Sequence, residues 1–446
     1  MIGVVGAGIT GLTLAHELRK RGRSVRVWEA ADRPGGVTWS EEAEGRVLDL
    51  GPQRTRLTRD VESLVDELGL GDRLLYASRG LPLYVYRAGR LRPVPFSPGQ
   101  ALRTDLLSWR AKLRALAEPF IVPRRAGESV EDLFVRNFGR EIYENLLGPL
   151  YGGLYASDPA RMPARHALAR VLDELKVGPS LLLAFLRRGA AARDAIPTVT
   201  FEDGLGALPR ALADSLGDAL RLGVPVDRLA PGPMGRIQVE VAGEVQEVQA
   251  VVLTCPADAA GHILRQAAPM ASESLESLTY NPLAVVHLES DCELEGFGYQ
   301  VAFGETLETR GVTWNDSIFG GNGIPGGGNG EDAIDCAGPG GGSGADRGHG
   351  RRGLYTAYLG GMKSPRLVQE EDDRIGEIAA REFEEVTGCP AKVIRVSRTR
   401  MPAWDESWDV LDRISVPRGV HLCASYTGRP GIPGRVAVAR RLAAAL

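Results

Sequence analysis

The chain opens on a short apolar run, Ile2, Val4 and Val5, that ends at glycines. Leu12, Leu14, Ala15 and Leu18 then recur at helical spacing, and Gly22 follows the last predicted turn. Val25, Val27 and Trp28 begin a second strand. Strand, helix and strand in that order make a βαβ unit, and such units build parallel sheets.

Further along, Tyr84 to Pro95 reads as a hairpin with its turn at Ala88-Gly89. Residues 101–194 are mainly helical in pattern and rich in Leu, Ala and Arg. Two stretches there, 102–122 and 179–192, join apolar faces to Arg. They read first as amphipathic helices packed on a core, with a membrane-surface or hydrophobic-substrate region as the alternative. Ala207 to Leu216 predicts a helix, followed by strands at 222–229, 236–241 and 246–254. Residues 283–318 alternate as strands do, and a strand at Leu354–Leu359 precedes a helix over 369–387. A last helix runs from about Gly434 to the end. Between them, 320–353 holds 15 Gly among 34 residues and reads as a flexible surface insertion.

Composition narrows the class. Of 446 residues, 43% are hydrophobic and 25% charged, with a net charge of −4. That excludes a disordered chain and leaves no electrostatic footprint for nucleic acid. Cys255, Cys292, Cys336, Cys389 and Cys423 stand far apart, so neither a zinc site nor a disulfide framework is expected, and a reducing compartment fits. The six His form no metal-ligand cluster. No signal peptide and no run of 18 apolar residues is seen, so a cytoplasmic protein is expected, with contact on a membrane surface left open.

The chemistry starts at Gly6-Ala7-Gly8-Ile9-Thr10-Gly11, between the first strand and its helix. Gly6 allows the tight turn, Gly8 lets backbone approach a pyrophosphate, and Gly11 lets helix and strand pack closely. The helix N-terminus faces the phosphates. Glu29 ends the second strand, where a carboxylate accepts hydrogen bonds from ribose hydroxyls and would repel a 2′-phosphate. Ala30 to Arg33 follow, and then Pro34-Gly35-Gly36. A second glycine pair just past the ribose carboxylate separates FAD enzymes of the glutathione-reductase and amine-oxidase type from nicotinamide enzymes, because it lets backbone close over the pyrophosphate and ribityl chain.

With these residues placed, the chain resembles the flavin-dependent protoporphyrinogen oxidases of the monoamine-oxidase-like superfamily over nearly its full length except 320–353. Gly51-Pro52 with Thr55 resembles the turn beside the isoalloxazine, and Arg90-Leu91-Arg92-Pro93-Val94-Pro95 the family hairpin. Gly152-Gly153-Leu154-Tyr155-Ala156-Ser157-Asp158-Pro159 resembles the glycine-aromatic segment beside the substrate. Gly204-Leu205 with Leu208-Pro209 resembles the segment before the adenine-side helix. Pro225-Val226 resembles the strand whose Val backbone pairs with adenine, and Val251 to Pro256 the returning strand. Gly296-Phe297-Gly298-Tyr299, Thr313 to Phe319 and Tyr358-Leu359-Gly360-Gly361 resemble substrate-domain strands. Gly431-Ile432-Pro433 resembles the turn that aims a helix N-terminus at the flavin pyrimidine, where its dipole favours negative charge on reduced flavin.

The resemblance implies a mixed α/β fold. A Rossmann-like FAD-binding domain (1–76, 196–262 and 415–446) interleaves with a substrate-binding sheet domain (77–100 and 263–414), and 101–195 forms a helical domain. It implies non-covalent FAD, a porphyrinogen substrate, oxygen as acceptor and six-electron oxidation of protoporphyrinogen IX to protoporphyrin IX. Cys423 lies in a Leu-Cys-Ala strand and reads as core rather than as a covalent flavin link. Gly153 is expected to offer a backbone carbonyl that steers the macrocycle. Phe297, Tyr299 and Trp314 are candidate substrate contacts, although such aromatics are more often core. Where some members carry a propionate-binding Arg, this chain reads Leu81-Pro82-Leu83, and Trp39 stands where an Arg often follows the glycine pair. Arg54, Arg56, Arg79 and Arg87 are therefore candidates for the carboxylate partner, since a guanidinium pairs with it bidentately. Oxidation of coproporphyrinogen III, a flavin amine oxidase or carotenoid desaturase, and a non-enzymatic flavin-binding protein stay open as alternatives.

Overall fold

The computed structural model describes residues 1–121, 127–169, 180–183, 196–320 and 352–446. The chain starts with β1 (Ile2–Val5), α1 (Ile9–Lys20) and β2 (Val25–Trp28). The hairpin β3 (Leu83–Arg87) and β4 (Arg90–Pro93) turns at Ala88-Gly89, both at positive φ. The helical segment includes α2 (Trp109–Leu116) and α3 (Gly148–Tyr155). Next come α4 (Ala207–Leu216), β5 (Leu220–Arg221), β6 (Ala250–Leu253), β7 (Tyr280–Ser290), β8 (Gly298–Val301) and β9 (Thr309–Trp314). The chain closes with β10 (Gly353–Gly360), α5 (Asp372–Thr387), β11 (Lys392–Pro402), β12 (Val420–Leu422) and α6 (Gly431–Ala445).

Two sheets organise the molecule. The first is parallel, in the order β5-β2-β1-β6-β12. β1 at its centre is buried throughout, and β6 likewise, which is why both read as continuous apolar runs. Helices α1 and α6 pack together against it, burying Leu12, Leu14, Leu18, Val436 and Ala439. The second sheet has seven strands in the order β11-β7-β10-β9-β8-β3-β4. One of its faces is covered by α5, whose Ile375, Ile378, Ala379 and Phe383 recur at helical spacing and are buried. Register therefore sorts its side chains: Tyr299, Val312 and Ala357 lie on the α5 face, while Gly311 with Tyr358 and Thr313 with Thr356 lie on the opposite face.

Several expectations are corrected. The strand at 222–229 lies at Val226–Pro231, and the last helix begins at Gly431 rather than Gly434. β11 intersperses Lys and Arg with Val393, Ile394, Val396, Ser397 and Thr399 because it is an edge strand half in water, so no long apolar run announced it. Cys292 and Cys389 form a disulfide across 97 positions, with Cα atoms 6.0 Å apart, against the expectation of no such bridge. Tertiary packing brings the end of β7 beside the start of β11, a proximity invisible in the spacing. The insertion 320–353 and the stretch 179–192 lie almost wholly outside the described residues. Among the described residues, no helix is long and apolar enough to cross a membrane.

Candidate functional site

The first half of the site forms at the carboxyl ends of β1, β6 and β12, where parallel sheets place their ligands. Gly6 turns at φ +104°, and its carbonyl and that of Val5 accept the Thr254 hydroxyl. A Cβ on Gly11 would lie 2.0 Å from the Gly6 carbonyl oxygen, so α1 packs this close to the turn only with glycine there. The direction a Gly8 Cβ would take is open, with nothing within 4 Å. Ile9, Thr10 and Gly11 form the buried first turn of α1.

Glu29 follows β2 directly. Its carboxylate accepts the Ala7 N–H at 2.6 Å and the Ala31 N–H at 2.9 Å, with Ala30 exposed between. Gly35 donates its N–H to Ala7 at 2.8 Å, and Gly36 lies against the Gly8 Cα. The 35–38 loop thus closes over the glycine turn. Gly51 sits so near the Val37 carbonyl that a Cβ would lie 1.8 Å from it, which sets Gly51-Pro52 against the same loop. Val226 is buried at its strand start, and Val224 donates to the Glu29 carbonyl at 2.8 Å. Gly431, at φ +83°, opens the first turn of α6 with Ile432 and Pro433.

At the start of the second turn of α6 lies Arg435, which sequence reasoning missed. No acceptor or carboxylate among the described residues meets its guanidinium, and burial pulls its pKa down to about 10. Tyr280 and Cys423 are its neighbours. Cys423 is fully buried in the core, with its thiol pushed up to about 12. Its position in the core matches the reading of the Leu-Cys-Ala strand.

The second half of the site is the sheet face opposite α5. The Arg54 guanidinium stacks on Phe297, 5.3 Å from the ring centroid, beside the buried Tyr358 phenol. Arg54 has no ion pair or hydrogen bond among the described residues, and burial depresses its pKa. Gln53 beside it accepts from Asn315 at 2.6 Å, and Asn315 accepts from Thr356 at 2.9 Å. That chain pins the Gly51–Arg54 segment to the sheet.

The other candidates are placed elsewhere. Tyr299 and Trp314 lie in the core on the α5 face, so they face away from Arg54. A shift of one residue in a strand reverses the face, and sequence alternation could not say which face was the pocket. Arg79 and Arg56 are exposed. Arg87 is engaged at the hairpin, donating to the Phe303 carbonyl at 2.9 Å and lying 3.6 Å from Glu305. Gly153 sits inside α3 rather than in a turn, with its Cα against the Gln300 side chain, and it lines a cleft of about 280 Å³.

Comparison with known proteins identifies this arrangement. A family model described as flavin containing amine oxidoreductase matches residues 9–429. The chain belongs to that family. It is 28% identical over 435 residues to protoporphyrinogen oxidase 1 of Spinacia oleracea, covering 89% of this chain and 73% of that protein. It is 30% identical over 426 residues to the protoporphyrinogen oxidase of Oryza sativa subsp. japonica, covering 87% and 75%. A coproporphyrinogen III oxidase of Mycobacterium leprae is 29% identical over 343 residues, covering 71% and 74%. Putrescine oxidase shares the fold at a TM-score of 0.70 and 18% identity, covering 100% of this chain and 98% of that one.

The chain is therefore a flavin-dependent oxidoreductase, and FAD is its cofactor. The residues present fit that group. The space before Gly8 is open, the Glu29 carboxylate is held at the end of β2, and Arg435 is a half-buried cation, beside Cys423 just past β12, without a partner among the described residues. No feature of the sequence separated Arg435 from the many other arginines, and Tyr358 appeared only within the segment that resembles a substrate-domain strand.

Proposed function

We propose that this chain oxidises protoporphyrinogen IX to protoporphyrin IX, with oxygen as acceptor and hydrogen peroxide as by-product. The observation that carries the reading is Arg54, a half-buried guanidinium stacked on Phe297 with no carboxylate partner among the described residues. A cation held in an apolar wall is costly unless something anionic joins it. A flat apolar macrocycle with carboxylate arms supplies both surfaces. The curated relatives, named as oxidases of such macrocycles, support the same reading.

Bound FAD would supply the redox chemistry, a two-electron oxidation at a substrate carbon needed three times per porphyrinogen, with three oxygen molecules becoming three hydrogen peroxide. The chain's own residues bind and orient. Gly8, Glu29, Gly35, Gly36, Val226 and Arg435 hold the dinucleotide, and the first turn of α6 faces it with its positive dipole end. Arg54 takes a carboxylate, while Phe297 gives it a flat wall. No described acid–base pair is assigned to the pocket, and aromatisation of the ring supplies the driving force. We read 1–76, 196–262 and 415–446 as the FAD-binding unit, with 77–100 and 263–414 as the substrate-binding unit.

Coproporphyrinogen III, with four carboxylate arms, is the second reading, supported by the Mycobacterium leprae relative. An amine substrate fits less well, because a protonated amine is repelled by the unpaired Arg54 cation. Purified FAD-loaded protein, given each porphyrinogen in air, tests the proposal by growth of porphyrin fluorescence and peroxide. Faster turnover of protoporphyrinogen is expected. Faster turnover of coproporphyrinogen shifts the assignment to the second reading, and absence of both products overturns it. Arg54→Leu is expected to raise KM about tenfold or more, the loss of one charged hydrogen-bonded contact.

A further inference from the structure

A second cation sits in the cleft beside Gly153, away from Arg54. β9 carries a bulge between Thr309 and Gly311, so Arg310 is the extra residue opposite β10. Bulges re-aim side chains, and this one turns Arg310 off the α5 face, where its alternation would have sent it, and under α3. One of its terminal nitrogens donates to the Gly152 carbonyl at 3.2 Å. Among the described residues its Nε is buried with no partner, and no carboxylate pairs with Arg310 within 4 Å. The Thr309 hydroxyl, which also lines the cleft, is buried and unpartnered. Lys363 stands at the opening, its ammonium donating to the carbonyls of Leu307 and of Glu305, the latter at 3.1 Å. Asp158 is the acid on the rim, exposed, its Oδ1 accepting the Ala160 N–H at 3.0 Å and its charge acting on Arg310 from beyond ion-pair distance.

The cleft is about 280 Å³, too small for a macrocycle but enough for a short carboxylate arm. A structural clamp for α3 would need only the bond to Gly152. The leftover donors, the Arg310 Nε and the Thr309 hydroxyl, are hydrogen-bonding groups that buried sites rarely leave unmade. Gly153 keeps the wall thin, since any side chain there would run into Gln300. Arg310 adjoins Gly311, the register partner of Tyr358, and Tyr358 lies beside Arg54. The bulged start of β9 thus lies one register step from the strand pair that carries Tyr358.

We infer that this cleft binds a carboxylate, a second propionate arm of the macrocycle, with Arg310 as its ion-pair partner and Lys363 at the entrance. The inference rests on the porphyrinogen reading and sharpens it: two separated guanidiniums hold two arms and fix the ring's rotation over the flavin.

The test titrates the FAD-loaded full chain with protoporphyrin IX and, in the same buffer, with its dimethyl ester, which lacks the charges. Arg310→Leu is expected to weaken the free acid about tenfold or more while leaving the ester unchanged. Arg310→Lys should recover part of the loss, and Lys363→Met should show a smaller one. FAD content and circular dichroism certify that each variant is folded. Equal weakening of acid and ester, or none of either, overturns the inference and leaves the proposed function standing if native protein turns over porphyrinogen. Succinate that binds native protein but not Arg310→Leu, with porphyrin binding unchanged, would assign the cleft to a free small carboxylate and overturn the propionate arm. Failure of native protein to bind or turn over any porphyrin defeats the proposed function itself.

Discussion

Gly8 and Gly11 stand three positions apart under different constraints. Gly11 is fixed by packing, since a methyl there meets the Gly6 carbonyl, while Gly8 faces open space. Gly11→Ala is expected to lower the melting temperature of the flavin-free protein. Gly8→Ala should leave that temperature unchanged yet weaken FAD binding, read by flavin fluorescence titration. At the same scale, His287 and Asp49 oppose each other. The buried His287 imidazole lies 3.1 Å from the Asp49 carbonyl, and burial drops its pKa to about 4. Burial raises the Asp49 carboxyl to about 6. As pH falls from 6.5 towards 4, the unfolded chain protonates histidine before the folded chain can, and stability is lost. Asp49 gains its proton in the folded state first, between 6 and 3.8, and stability is regained. His287→Gln removes the losing half. Urea melts at pH 7 and pH 5 should show the variant improving relative to native on acidification, by up to about 1.4 kcal/mol per pH unit. Parallel curves would refute that.

At the scale of elements, α5 shows what periodicity can foresee. Its apolar positions recur every three to four residues, and they are the ones that cover the seven-stranded sheet. Phe383, fully buried and 4.8 Å from the Tyr355 ring, anchors that layer. Phe383→Ala should cost about 3–5 kcal/mol in denaturant melts, while flavin content below the transition stays the same. β11 shows the opposite. Its Lys and Arg residues face water at a sheet edge, so only hydrogen bonding to β7 makes it a strand. The bulge in β9 was equally hidden, although it decides where Arg310 points.

At the scale of the whole molecule, the Cys292–Cys389 bridge closes a loop of 97 positions that includes the Gly-rich 321–351. By loop entropy it contributes about 4.7 kcal/mol, so reductant or Cys292→Ser should lower the melting temperature by several degrees. An unchanged melting curve under reductant would mean the bridge contributes nothing. The outer side of α2 and its continuation is the largest apolar exposure described: Trp109, Leu113, Leu116 and Phe120 are 62–90% exposed beside Arg110 and Lys112. If this face rests on lipid, as the alternative reading of 102–122 holds, anionic vesicles should float the native protein and lose it in Trp109→Glu with Phe120→Glu.

The sequence by itself determined the dinucleotide half of this protein. The glycine turn, Glu29 and the second glycine pair act within one short βαβ unit, where local spacing and backbone sterics dictate geometry. The substrate half was decided by tertiary structure. Arg310 looks like any other arginine in the chain, Arg54 was one of four candidate arginines, and Tyr358 was part of a strand resemblance with no role of its own. They differ only because strand register, a bulge and burial leave both guanidiniums without an ion pair among the described residues, while Tyr299 and Trp314 are turned into the core. A charge becomes a binding group through the absence of a partner, and partners are set by the fold.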